Sequence, residues 1–150
     1  MTLRGRVRSA LLVIAALIAA YLTLLHYTTI VPLACPGGSA SGLINCGNVL
    51  TSQESTWFGI PVPAVGFLWA LIGIALTWGQ GRERPWASDG VYWIWSVVGV
   101  LTVLWLVYAE FALIHNICAW CSILHLIILA LFVEWVWSGS LIPLADDEEA

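Results

Sequence analysis

The segment ICAWCSILHLIILALFVEWVW, residues 117–137, decides how the rest of the chain is interpreted. It is apolar over about the 20 residues that one bilayer crossing needs, and its only acidic or basic side chains are His125 and Glu134. It opens with two cysteines in a C-x-x-C spacing, Cys118 and Cys121, and His125 follows one helical turn later. The stretch therefore predicts a membrane-spanning helix with a thiol pair at one end.

Three further runs have a similar length and character. Two of them carry no formal charge, and the third contains only Glu110. With 61% hydrophobic residues and a mean hydropathy of +0.93, the composition excludes an ordinary water-soluble domain. We predict an all-α integral membrane protein, a single domain over residues 1–150 built as a four-transmembrane-helix bundle. Its helices are predicted at about 10–30, 60–78, 91–114 and 117–137.

The arginines give the orientation, because the chain contains no lysine. Arg4, Arg6 and Arg8 precede the first helix, and Arg82 and Arg84 lie between the second and third. Basic residues stay on the cytoplasmic side of a membrane, so we expect both termini there. The predicted location is the inner or plasma membrane, with multiple crossings and the active site on the extracytoplasmic side. No basic patch suits nucleic acid.

A cleaved signal peptide is the alternative for the first run. Its apolar stretch exceeds a normal signal core, and PLAC at 32–35 fits a lipoprotein processing site poorly. We expect the segment to be retained as a helix.

The outer side holds a large loop, residues 31–59. Thr51 and Glu54 have the spacing of a capping box, and the aromatic Phe58 follows at the level of the membrane interface. This pattern predicts a short amphipathic helix over residues 52–58, lying on the outer membrane surface.

All four cysteines fall on this outer side: Cys35 and Cys46 in the loop, Cys118 and Cys121 at the start of the last helix. An even count in an extracytoplasmic compartment is typical of disulfide chemistry. If Asn116 caps the last helix, Cys118 lies in its first turn, where the helix dipole stabilises a thiolate. We therefore expect a water-accessible, attackable Cys118 and a shielded Cys121, an asymmetry that suits electron transfer into the membrane.

Alternative interpretations exist for each of these residues. A C-x-x-C pair can bind zinc, although zinc needs four ligands, and Cys35 with Cys46 can be a passive staple worth roughly 3 kcal/mol. His125 is either a buried structural histidine or a hydrogen-bond donor to an acceptor carbonyl near Cys121. Glu110 is either a functional intramembrane carboxylate or an exposed residue at the interface.

The loop cysteines Cys35 and Cys46, the run CGNVLTSQESTWFGIPVPAVG at 46–66, and ICAWCSILH at 117–125 resemble the vitamin K epoxide reductase family. The resemblance is to its bacterial, quinone-linked and disulfide-forming branch, and it covers nearly the whole chain. With four helices in this order it is specific, whereas the C-x-x-C alone would be weak.

The resemblance implies roles for individual residues. Cys118 and Cys121 would be the active-site pair, with Cys121 nearest the quinone. Cys35 would meet a thioredoxin-fold partner, and Cys46 would attack Cys118. His125 falls where the animal enzymes have a quinone-contacting tyrosine. Ser52 matches a family serine six residues after the second loop cysteine, and Phe58 is also a candidate quinone contact.

These roles describe a membrane thiol–disulfide oxidoreductase that generates disulfides for extracytoplasmic protein folding. Its acceptor would be ubiquinone, menaquinone or vitamin K, and its electron donor a separate thioredoxin-fold (DsbA-like) protein. The alternatives are a reductase of vitamin K quinone or its epoxide and, outside the enzymes, a disulfide-stapled structural membrane protein. The chain departs from the family pattern in the long gap between Cys35 and Cys46, and residues 60–78 lack the second-helix asparagine of the animal enzymes.

Overall fold

The computed structural model describes residues 3–28, 34–39 and 42–137. The acidic C-terminal tail and part of the predicted outer loop lie outside these ranges. The described chain is mostly helical, and its four principal helices form a bundle. They are α1 (Leu3–Tyr27), α3 (Val62–Gln80), α4 (Asp89–Tyr108) and α5 (Ala119–Trp135), with a short α2 (Cys46–Leu50) before α3.

Of the described helices, three are long and apolar enough to cross a membrane: α1, α3, and α4 with its π-helical extension Ala109–Ile114. The fourth, α5, is equally apolar but has only 17 residues. The prediction of a membrane-type helical bundle is therefore confirmed in outline, with three to four apolar helices able to span.

Local sequence signals explain where the helices begin and end. Pro61 precedes α3, and Pro63 lies in its first turn. Backbone N–H groups in a first turn have no intrahelical acceptor, so proline, which has no N–H, costs no hydrogen bond there. At the start of α4 the Ser88 hydroxyl accepts a hydrogen bond from the N–H of Val91 at 3.5 Å. The loop between α3 and α4 contains a short 3₁₀ turn, Pro85–Ala87.

The core of the bundle is built around α1, which packs most extensively on α3 and also contacts α5. Its buried positions include three alanines, Ala15, Ala16 and Ala19. Short side chains let neighbouring helix backbones approach closely, which gains van der Waals contact where lipid offers no hydrophobic driving force. The small residues of α1 therefore allow its close packing on α3.

Helices α3 and α4 are joined by a reciprocal tryptophan pair. The rings of Trp69 and Trp95 stack with centroids 4.0 Å apart. Each indole N–H donates to the other residue's carbonyl oxygen, at 3.2 Å from Trp69 and 3.0 Å from Trp95. Gly73 and Gly99 leave room for the rings, since a Cβ at Gly99 would lie 2.6 Å from Trp69 Cζ2. This pair fixes the spacing of the two helices midway along α3.

At the end of the bundle opposite the cysteines, an ion pair links the helices. The guanidinium of Arg8 donates through Nε and Nη2 to both carboxylate oxygens of Glu134, and it also lies 5.2 Å from the centre of the Tyr92 ring. The start of α1, the start of α4 and the end of α5 therefore meet at one end of the bundle.

We predict that this ion pair stabilises the fold. Glu134→Ala should lower the free energy of unfolding by about 1–2 kcal/mol, because the half-buried Arg8 loses its counter-charge. Thermal melts in detergent of the two single alanine variants and the double variant give the coupling energy, expected at about 1 kcal/mol. Strict additivity of the two substitutions would contradict the prediction.

The predicted surface helix over residues 52–58 is wrong. In its place are a 3₁₀ turn, Gln53–Ser55, and a two-stranded hairpin of β1 (Thr56–Trp57) and β2 (Ile60–Pro61). Phe58 and Gly59 connect the strands with φ angles of 53° and 82°. Two successive positive φ values are incompatible with a helix but suit a two-residue hairpin turn.

The capping-box interpretation of Thr51 and Glu54 fails for a related reason. The helix lies before Thr51, at Cys46–Leu50, and Thr51 follows its last residue. The Thr51 hydroxyl donates to the Gly47 carbonyl oxygen at 2.9 Å. The end of α2 is also linked to α1, through a 3.2 Å hydrogen bond between His26 Nδ1 and the Leu50 carbonyl oxygen.

Candidate disulfide-exchange site

The outer loop is bonded through its backbone to the start of α5. Ile44 and Ile117 form a parallel β-bridge. The N–H of Asn45 donates to Ile117 O at 3.0 Å, and the N–H of Ile117 donates to Leu43 O at 2.9 Å. These bonds hold the segment that precedes Cys46 directly beside the segment that precedes Cys118.

Asparagine side chains extend the same junction. The amide of Asn116 donates to the carbonyl oxygen of Gly42 at 3.2 Å, and it accepts a hydrogen bond from Asn48. The side chain of Asn45 caps α2 by accepting from the N–H of Asn48 at 3.0 Å. The prediction that Asn116 caps the last helix is therefore wrong, because its side chain is bonded to the loop.

The outer cysteine pair, Cys35 and Cys46, is joined as a disulfide with its Cα atoms 5.8 Å apart. Cys46 is buried and Cys35 is half-buried at the surface. A shallow groove of about 300 Å³ runs past the pair. Gly38 keeps this groove open, because a Cβ there would lie 2.7 Å from Cys35 Sγ. The sulfur of Cys35 is thus the approachable one of the pair.

The inner pair, Cys118 and Cys121, is also joined as a disulfide, with Cα atoms 5.1 Å apart. Cys118 is the N-cap of α5, and its sulfur accepts a hydrogen bond from the N–H of Cys121 at 3.2 Å. Its exposure is 0%, so the expected water-accessible Cys118 is wrong. The outer loop covers this sulfur, which leaves it open only to groups within the protein.

The four cysteines belong to one apolar cluster. Cys46 and Cys118 are buried in it with Val49, and Cys35 and Cys121 pack against it. The indole N–H of Trp120 donates to the carbonyl oxygen of Ala34 at 2.6 Å, which joins the residue before Cys35 to α5. The fold therefore brings the loop pair and the C-x-x-C pair into one cluster.

A cavity of about 250 Å³ begins at the inner disulfide and continues between α3, α4 and α5. Its wall is almost entirely apolar, and Cys121 contributes the only sulfur among the described lining residues. The polar side chains at its wall include Ser52, Ser55, Glu110 and His125. An apolar cavity with a few polar groups suits a largely apolar ring that bears hydrogen-bonding oxygens, which is the chemistry of a quinone.

The three predicted quinone contacts have different positions. His125 is buried, lines the cavity, and has no hydrogen-bond partner among the described residues. Ser52 also lines the cavity, but its hydroxyl already donates to Val49 O at 2.9 Å. Phe58 stands at the hairpin tip, fully exposed and outside the described cavity wall. The structure thus brings His125 and Ser52 together with Cys121, but not Phe58.

Some cavity residues were missed by reasoning from the sequence. Ser55 and Trp57 line the cavity because the 3₁₀ turn and the hairpin fold over it. Neither has a sequence signal, since elements this short show no periodicity. For Glu110 the sequence signal is its single charge within an apolar run.

The donor set gives no support to a metal site within the described residues. There, no group of three or more His, Cys, Asp or Glu side chains is placed to hold an ion, and the four sulfurs are consumed in two disulfides.

Comparison with known proteins agrees with this geometry. The family model described as the vitamin K epoxide reductase family matches residues 7–135, which includes all four cysteines and the cavity. No curated protein matches the chain. Because the match covers most of the 150 residues, the chain belongs to the vitamin K epoxide reductase family, whose chemistry is that of membrane oxidoreductases acting on thiols and quinones.

Proposed function

We propose that this protein carries electrons from a separate thioredoxin-fold protein to a lipid quinone, and so generates disulfides outside the cytoplasm. The outer pair, Cys35 and Cys46, accepts the electrons, and the inner pair, Cys118 and Cys121, delivers them to the quinone. The observation that supports this order is the burial of Cys118 behind Cys46, with Cys121 on the wall of the apolar cavity.

The first step is thiol–disulfide exchange at the surface. A thiolate of the partner attacks Cys35, the more exposed sulfur of the outer pair, and a mixed disulfide forms while Cys46 leaves as a thiolate. The partner's second thiol then resolves the mixed disulfide. The partner is thereby oxidised, and Cys35 and Cys46 are left reduced.

The second step takes place within the protein. Cys46 attacks Cys118, the bond between Cys118 and Cys121 breaks, and Cys121 is released as a thiolate at the cavity wall. Cys35 then attacks Cys46, which restores the outer disulfide and frees Cys118. Because Cys118 is completely buried, an external thiol has no route to it, whereas Cys46 belongs to the same buried cluster.

The acceptor is a substrate of this reaction, and it supplies a two-electron oxidation of Cys118 and Cys121. His125 would hold it, because the imidazole faces the cavity without a protein hydrogen-bond partner in the described chain. Ser52 can accept but not donate a hydrogen bond while its proton serves Val49 O. The residues along the rest of the cavity wall would set the preference among ubiquinone, menaquinone and vitamin K.

The decisive experiment is reconstitution. Purified protein in lipid nanodiscs should couple oxidation of a reduced thioredoxin-fold protein to reduction of ubiquinone or menaquinone, followed by the quinone's absorbance. A disulfide-stapled structural protein would reduce neither quinone, and a protein active only on vitamin K or its epoxide would favour that alternative function.

Trapping the exchange intermediate tests the order of electron transfer. In Cys35→Ala the thiol that resolves the internal mixed disulfide is absent, so a bond between Cys46 and Cys118 should accumulate. Proteolysis without reductant followed by mass spectrometry should find the two peptides joined. The link should vanish in the Cys35→Ala, Cys118→Ala double variant. A free Cys46 beside an intact inner disulfide would instead make the outer pair a staple.

Removing the imidazole tests its role at the cavity. His125→Ala should slow quinone reduction by the equivalent of about 1–3 kcal/mol, because one hydrogen bond to the acceptor is lost. The rate of partner oxidation in a single turnover and the melting temperature should change much less. His115→Asn is the matched control, since His115 is exposed outside the described cavity wall and Asn tolerates its left-handed backbone. Equal quinone kinetics in the two variants would make His125 structural.

The orientation can be tested on intact cells. After mild reduction, a membrane-impermeant maleimide should label Cys35, because the arginine-rich segments are expected on the cytoplasmic face. Labelling that requires cell lysis would reverse the proposed topology.

A further inference from the structure

Glu110 is a buried carboxyl group at the junction of the inner disulfide and the cavity. Its exposure is 4%, and its side chain lines the cavity wall. Cys121 of the inner disulfide lines the same wall. The carboxyl group therefore shares one cavity with a sulfur of the reacting pair, in the space proposed to receive the acceptor.

A local change in helix geometry puts Glu110 in this position. Ala109–Ile114 is a π-helical turn, which ends in a left-handed residue, His115. The carbonyl oxygen of Glu110 accepts the N–H of Asn116 at 3.1 Å, which closes the turn onto the outer-loop junction. Single π-turns within α-helices are found mainly at functional sites, because they redirect one side chain at a cost in stability.

The burial decides between the two interpretations that the sequence left open, since an exposed interfacial carboxylate would be wet. No arginine lies along the described cavity wall, and Arg8, which forms the half-buried ion pair with Glu134, is at the other end of the bundle. A carboxyl group kept in an apolar site without a counter-charge is costly, and such groups in membrane proteins usually serve function.

We propose that Glu110 is a proton-transfer residue between the inner cysteine pair and the acceptor. The inference rests on the proposed function and adds the path of a proton to it. When Cys118 and Cys121 return to the disulfide, two S–H bonds are lost, one S–S bond forms, and two electrons pass to the quinone. Two O–H bonds form on the quinone, which becomes a quinol.

Glu110 carries one of these two protons. Its carboxylate takes the proton that leaves a thiol of the inner pair, and the resulting carboxylic acid donates it to the nearer quinone oxygen. The residue ends in the form in which it began. An ionised Glu110 also repels a thiolate beside it, so protonation of the carboxylate and release of the thiol proton favour each other.

The other titratable groups around the site are Glu54 and His125 on the cavity wall and the cysteines Cys118 and Cys121 themselves. Glu54 comes from the 3₁₀ turn of the outer loop and is half-buried. Of the two acids among these groups, Glu110 is the buried one, which favours it over the half-buried Glu54.

Glu110→Gln separates proton transfer from structure, because glutamine keeps the size and shape of the side chain but cannot carry a proton. In nanodiscs with ubiquinone as acceptor, quinone reduction should slow about 100-fold, and one ionisation should disappear from the pH–rate profile. Glu110→Asp should recover part of the rate. Glu83→Gln removes an exposed charge from the loop between α3 and α4 and should leave rate and profile unchanged.

A second measurement needs no quinone. In a Cys35→Ala, Cys46→Ala background, the half-buried Cys121 of the reduced inner pair is alkylated with iodoacetamide across a range of pH. A nearby carboxylate disfavours a thiolate, so Glu110→Gln should move the alkylation midpoint to lower pH by roughly one unit. The melting temperature of each variant in detergent reports whether the fold is retained.

The outcomes distinguish this inference from the function on which it rests. A wild-type protein that reduces no quinone overturns both. An active wild-type protein whose Glu110→Gln variant has the same rate, pH profile and alkylation midpoint overturns the proton-transfer role alone. A variant that unfolds leaves Glu110→Asp to decide, because an aspartate with neither a slower rate nor a shifted pH profile also overturns it.

Discussion

The docking of the outer loop on the start of α5 is the constraint on which the site depends. A parallel bridge between Ile44 and Ile117, with two backbone hydrogen bonds, fixes a loop segment against a helix that is distant in sequence. Without this bridge, the loop segment that carries Cys46 would not be held beside Cys118. With it, the two disulfides share one apolar cluster in which Cys46 and Cys118 are both buried, and the outer loop covers the Cys118 sulfur.

The cavity depends on the spacing between α3 and α4. The stacked Trp69 and Trp95 bond the helices at one level, where Gly73 and Gly99 provide the space for the rings. Nearer the outer end, the hairpin and the 3₁₀ turn contribute Trp57 and Ser55 to the cavity wall, which is almost entirely apolar. In such a low-dielectric site, each polar group at the wall has a large electrostatic effect.

The elements that could be predicted from the sequence are those with long, uniform patterns. Apolar runs predicted the principal helices, and the cysteine spacing indicated the two thiol pairs. The wrong predictions concern short elements and contacts between residues that are distant in sequence. Asn116 resembles a helix cap in the sequence, but its amide is bonded to Gly42 O. The five-residue α2 is too short to show a periodic pattern, and hydrogen bonds with Asn45 and His26 stabilise its two ends. The burial of Cys118 likewise depends on a covering loop that helix position alone does not reveal.

Two carboxylates in apolar helices show why burial must be considered together with partners. Glu134 and Glu110 are each a single charge within an apolar run, and the sequence does not distinguish them. Glu134 faces Arg8, so its charge is neutralised and its contribution is to hold the ends of three helices together. Glu110 is buried at the cavity wall, and no arginine is among the described residues that line this cavity. A carboxyl group without a fixed counter-charge can change its protonation state at modest cost, which is what a proton carrier requires and a structural ion pair prevents.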